Sequence, residues 1–103
     1  AKHKLKGVAT RTEKGGYEVY LDGEYLSPNY SQAIYNHSPD GFSWGYEGSG
    51  CAQLALAILL KIADKGIALA QHQQFKREVI AVLPQNKDFE IEFEWPKVVQ
   101  DAV

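Results

Sequence analysis

The sequence predicts an α+β domain, a three- to four-stranded antiparallel sheet packed against a two-helix hairpin. Three observations carry this. "YEVYLDGEYL" (residues 17–26) alternates apolar and polar side chains about an Asp-Gly pair. "CAQLALAILLKIA" (residues 51–63) is apolar on nearly every side. "DFEIEFEW" (residues 88–95) alternates again, with Phe89, Ile91, Phe93 and Trp95 against Glu90, Glu92 and Glu94. Alternation marks a half-buried strand, and an all-round apolar helix must be buried.

Leu5–Arg11 reads as the first strand, and Gly15–Gly16 as a turn. In Tyr17–Leu26, Tyr17, Val19 and Leu21 share one face. Asp22–Gly23 makes a two-residue hairpin turn, since both residues tolerate positive φ. Tyr30–Tyr35 fits either a helical turn or extended chain. The central helix spans Cys51–Ala63, with Ser49 or Gly50 as its N-cap and Gly66 suited to a left-handed stop after Asp64–Lys65. A second helix runs from about Ile67 to Leu83, ahead of Pro84, with the stripe Ala68, His72, Phe75, Val79 and Val82. The last strand joins the first sheet, because alone it would leave its backbone unpaired. Pro96 ends it, before a tail from Lys97 to Val103.

The chain has 103 residues, 45% hydrophobic and 23% charged, which suits one domain over residues 1–103. Net charge is −2, so broad nucleic-acid binding is not expected. Residues 17–60 carry Glu18, Asp22, Glu24, Asp40 and Glu47 with no Lys or Arg. An anionic ligand there needs backbone N–H groups, or Lys76 and Arg77 from the second helix. Cys51 is the single cysteine, which excludes an internal disulfide and suggests a reducing, cytoplasmic setting. No signal core or membrane span is read, and no cofactor motif.

"NHSPDGFSWGYEGSG" (residues 36–50) precedes the apolar helix directly. Gly48, Ser49 and Gly50 open that helix, where unpaired N–H groups and the helix dipole favour an anion. The spacing is neither a P-loop nor a dinucleotide fingerprint. Phe42, Trp44 and Tyr46 share a face if the chain is extended, and either fill core or form a stacking platform. His37, Ser38 and Asp40 bring hydrolase chemistry to mind, but neighbours in extended chain point apart and no nucleophile elbow is present. His37 is instead expected to fix the loop by a hydrogen bond. His72 sits on the apolar stripe of the second helix. The helical hairpin can bring it to His37, with Glu47 or Asp40, but without any characteristic metal spacing. Cys51 stands at a helix start, where thiol pKa values often fall, or is simply a small buried hydrophobe.

The motif HSP-x-GF-x-WGY-x-GSG, followed by "CAQLALAILL" and "HQQFKREVIAVLP", resembles a small domain-of-unknown-function family, number 6166, found in bacteria, archaea, phages and plasmids. The resemblance covers about Tyr17–Leu83. It rests on His37, Ser38, Gly41, Phe42, Trp44, Gly45, Tyr46, Gly48, Ser49, Gly50, Gln53 and His72. The family pattern has proline where this chain has Cys51, which speaks against a catalytic thiol. The resemblance implies no activity; it does suggest a mobile-element setting.

Three functions stay open. The first is a binding module whose site comprises His37, Ser38, Phe42, Trp44, Tyr46, Gly48, Ser49, Gly50 and His72, for a protein or a small anionic or aromatic, nucleotide-like ligand. The second is a small hydrolase or nucleotide-processing enzyme using His37 with His72 or Asp40. The third is an inhibitor of a host defence protein that presents Glu90, Glu92 and Glu94 to a basic partner.

Overall fold

The computed structural model describes residues 2–11 and 16–95. Its fold is α+β. Four antiparallel strands, β1 (Lys2–Arg11), β2 (Tyr17–Leu21), β3 (Glu24–Tyr25) and β4 (Phe89–Glu94), form one sheet in the order β3-β2-β1-β4. The last strand therefore joins the first sheet, as expected, and it does so beside β1.

The hairpin turn forms at Asp22 (φ 53) and Gly23 (φ 84), the two residues expected to accept positive φ. Register places Leu5 opposite both Leu21 and Ile91 at the centre of the inner face. On the outer face Lys2, Lys4 and Lys6 stand opposite Glu94, Glu92 and Glu90. Such opposite-charge neighbours contribute roughly 0.2–1 kcal/mol each. The acidic face of β4 is thus matched by lysines one strand away.

The inner face is covered by helices. α1 (Asn29–Ile34) occupies the stretch whose character the sequence leaves open. α2 (Ser49–Ile62) buries every residue from Gly50 to Leu59, as an apolar perimeter requires. α3 (Lys65–Phe75) packs alongside it. Two rows of rings lock the layers together. Tyr17, Trp44 and Phe89 form one, with centroids 4.8 Å apart at each step; Phe93, Phe75 and Trp95 form the other, at 5.3 and 5.1 Å. Gly7 leaves room for the first row. A Cβ there would fall 2.2 Å from the Phe89 ring and 2.7 Å from Trp44.

Three local expectations need correcting. Gly66 does not stop α2. Ala63 closes that helix in extended conformation, and the Asp64 side chain accepts from the Ile67 N–H at 2.8 Å, so Gly66 lies inside the first turn of α3. The N-cap of α2 is Gly48, which offers no side-chain cap, rather than Ser49 or Gly50. The second helix also does not run regularly to Leu83. After Phe75 it widens into a π-helical segment, Lys76–Ile80, closed by the Ala81 N–H on the Lys76 carbonyl at 2.8 Å. The wider turn advances the buried stripe by one residue. Ile80 and Leu83 are buried, Val79 is half-buried and Val82 is 73% exposed. The turn at Gly15–Gly16 falls partly outside the described residues, as do Pro96 and the tail Lys97–Val103 wholly.

Candidate functional site

The glycine- and aromatic-rich loop divides into a sunken part and a surface part. Phe42 and Trp44 are sunken, at 2% and 0% exposure. The Phe42 carbonyl accepts from the Tyr17 N–H at 3.0 Å. The Trp44 indole N–H donates to the Pro84 and Lys87 carbonyls at 3.0 and 3.1 Å, tying down the connection into β4. These two rings fill core and offer no stacking face.

Tyr46 parts company with Trp44 and is 41% exposed. The cause is Gly45, whose φ of 87° breaks the alternation that would put both rings on one side. Its N–H reaches the Ile80 carbonyl at 2.9 Å, and a Cβ there would meet the Gln85 backbone at 2.5 Å. The Tyr46 ring rests against Gly48 at the start of α2, where a Cβ would lie 2.4 Å from ring carbon Cε2. Ser49 is exposed, while Gly50 is buried, its carbonyl accepting from the Ser43 N–H at 3.2 Å. Among the described residues no buried side-chain polar atom lacks a partner, so nothing beyond the helix start itself marks an anion there.

The segment ahead of these rings is held by one side chain, Gln53, which is completely buried in α2. Its Oε1 accepts from the His37 and Ser38 N–H groups at 2.6 and 2.9 Å. Its Nε2 donates to Ser31 Oγ and to the Tyr35 carbonyl at 2.9 and 3.1 Å. Gln32 of α1 adds a bond from Nε2 to the Ser38 carbonyl at 2.8 Å. The loop is therefore fixed at the His37 backbone, which leaves the imidazole free for another partner.

That partner is His72. The two Nε2 atoms are 2.8 Å apart and the ring centroids 5.0 Å. The tautomers follow from the neighbours. His72 Nδ1 lies 3.1 and 3.0 Å from the Ala68 and Leu69 carbonyls, which only accept, so Nδ1 carries a proton. In a neutral pair His72 Nε2 is then the acceptor, and His37 donates to it from Nε2. His37 Nδ1 is left as a bare lone pair with no hydrogen-bond partner among the described residues. The Tyr35 ring, 56% exposed, stacks on His37 at 4.3 Å. Lys76, one turn beyond His72 where the π-helical segment begins, places Nζ 3.4 Å from Glu47 Oε1. Burial first, then repulsion from His72 if that ring also took a proton, then the charge of Lys76, push the His37 pKa below its ordinary value, which favours the uncharged imidazole.

The other expected residues fall outside this arrangement. Asp40 is exposed, and among the described residues no bond joins it or Ser38 to the His37 ring. Cys51 is fully buried. Burial pushes its thiol pKa up, against the opposing pull of the Tyr46 and Gly48 amides and of Lys76, so the helix start does not activate it. Among the described residues no three His, Cys, Asp or Glu side chains are grouped to hold a metal ion. Sequence reasoning did not foresee the roles of Gln53 and Tyr35. The signal for Gln53 was its isolation, one amide amid ten apolar or small residues.

Fold and loop together define a small α+β domain in which a buried helix grips a glycine- and aromatic-rich loop through one amide. The chain belongs to the family of unknown function DUF6166, which matches residues 6–99 and so extends past Tyr17–Leu83 to take in most of β1 and all of β4. No curated protein and no solved structure matches it. Among the described residues no helix is long and apolar enough to cross a membrane.

Proposed function

We propose that this chain is a binding module whose recognition surface is the His37–His72 pair with Tyr35, Lys76 and Tyr46, and that its ligand is planar and anionic, of nucleotide type. The observation that carries this reading is the imidazole pair. A hydrogen bond to His72 spends His37 Nε2 and leaves Nδ1 as an acceptor for a ligand N–H or O–H. Tyr35 extends the stacking surface beside it, and Lys76, which an anion would share with Glu47, brings a positive charge that residues 17–60 lack. Ser38 serves through its backbone; Phe42, Trp44, Gly48 and Gly50 support the loop. A cytoplasmic setting suits the lone buried thiol.

Titrating AMP into the 15N-labelled chain tests this. Saturable shifts are expected at Tyr35, His37 and Lys76, with weaker binding by Lys76→Gln. Absence of shifts at these residues with both AMP and inorganic phosphate would sink it.

The tautomer chain favours one second reading, a nucleotide-processing enzyme with His37 as general base. His72, anchored to two carbonyls, orients His37 as a third group orients the base in nucleophilic catalysis. Phosphorus NMR of AMP incubated with the protein distinguishes it. Turnover that His37→Ala abolishes supports catalysis, and an unchanged spectrum leaves binding alone.

A further inference from the structure

The third histidine, His3 in β1, is held by a different kind of partner. His3 Nδ1 lies 2.8 Å from Asp22 Oδ2. A carboxylate only accepts, so Nδ1 carries the proton, and in the neutral ring Nε2 is an acceptor with no hydrogen-bond partner among the described residues. The carboxylate is itself fixed. Asp22 Oδ1 accepts from the Lys4 N–H at 2.9 Å, and the Asp22 N–H donates to the Lys4 carbonyl at 2.8 Å. The imidazole packs on Phe93, its cross-strand neighbour, at 5.6 Å. Neither sequence pattern nor family resemblance singles out this pair.

The pair borders a cleft of about 380 Å³ between the β2–β3 hairpin and the C-terminal end of α2. That volume lies within the range of small-molecule sites. Glu24, Tyr25 and Lys61 line it with the pair, and Leu26 and Ile62 give it apolar walls. We propose that this cleft binds a small organic cation with an apolar body, which donates an N–H to His3 Nε2 and sets its charge against Asp22 and Glu24.

Charge decides the sign of the ligand. Two carboxylates face one ammonium, and the last carbonyls of α2 add partial negative charge at that end. The His3 hydrogen bond, then the Lys4 N–H, hold the Asp22 carboxyl below its ordinary range, so its charge persists into mild acid. Tyr25, 54% exposed, offers a ring face to a cation, and Leu26 and Ile62 take the apolar body. Lys61, exposed at the rim, excludes a second positive group.

The test is a titration of the full 15N-labelled chain with 2-phenylethylammonium and, in parallel, with phenylacetate, its anionic counterpart. The cation is expected to shift His3, Tyr25 and Ile62 resonances saturably, and the anion is not. Histidine 15N spectra should report the Nδ1–H tautomer for His3. Two variants separate site from scaffold. His3→Phe keeps a ring on Phe93 and removes the acceptor. Asp22→Asn keeps a residue that tolerates positive φ and still accepts from Lys4. Each should weaken the cation about tenfold, the effect of losing one charge-assisted contact, with hairpin amide shifts retained. Equal or tighter binding of phenylacetate, an Nε2–H tautomer, absence of shifts with the cation, or unchanged affinity in a folded His3→Phe would each overturn the proposal.

Discussion

The two parts of the loop are immobilised by opposite means. Residues 42–45 are held by shape. Two sunken rings and a left-handed glycine interlock with Tyr17, Phe89 and the Gln85 backbone. Residues 35–38 are held by three hydrogen bonds to one amide, Gln53, whose fourth bond reaches Ser31 of α1. Apolar packing spreads its energy over many weak contacts, and the rings that provide it are lost to the surface. An amide clamp concentrates its energy in one side chain and grips residues 35–38 by their backbone alone. The side chains of Tyr35 and His37 are thereby left for other use. The anchored part makes the fold, and the clamped part carries the proposed site.

Breaking the packed part should have the largest effect. Trp44→Ala removes a fully buried ring and leaves the Pro84 and Lys87 carbonyls without a donor. It should cost about 3–5 kcal/mol, a large share of the roughly 5–15 kcal/mol available to a domain. Urea denaturation measures it, and a loss under about 1 kcal/mol would mean that packing is not the anchor. Gly45→Val belongs to the same class, because backbone, not a yielding side chain, occupies the Cβ position.

Gln53→Leu comes next. It keeps volume but strands the His37 and Ser38 N–H groups, for about 1–3 kcal/mol. Hydrogen exchange should accelerate at these two amides while those of Val19 and Leu56 stay protected. Uniform acceleration would show that the clamp is not local to the loop.

Titration of His37 should follow in size. Its folded pKa lies below the unfolded value of about 6.5. The unfolded chain therefore takes up the proton first as pH falls. The His37 contribution is complete above about 6.5 and is lost as pH drops through the folded value. Stability measured at pH 7.5 and pH 5 should fall more for the native chain than for His37→Gln; equal slopes would remove the imidazole from the account.

The smallest effect is expected at Tyr35. Its exposed ring makes Tyr35→Ala nearly neutral for stability, within about 0.5 kcal/mol, while AMP shifts at His37 should weaken. A change in stability comparable to Gln53→Leu would blur the division between the two parts.

Much of the scaffold could be read along the chain because each element carries its own period. Asp22–Gly23, the alternation of β2 and β4, and the apolar perimeter of α2 are local signals, and each forms where it is expected. The π-helical segment could not be read. "VIAVL" is apolar at both the regular and the shifted positions, so Val79 and Val82 satisfy the stripe as well as Ile80 and Leu83 do. The loop was half legible. Its glycines announce unusual backbone, but which of them flips a ring depends on φ, and only Gly41 and Gly45 take positive values there. The approach of His37 and His72 followed from the helical hairpin, whereas the His3–Asp22 pair depends on strand register across 19 positions.

The extra residue in the turn after Phe75 acts as a phase adjuster. A regular continuation would rotate everything downstream by about 100°, one residue's arc on a 3.6-residue turn. By absorbing that arc, Lys76–Ile80 lets His72 meet the loop on one side while Ile80 still reaches the core. Removing a single residue from this segment would force a choice between them.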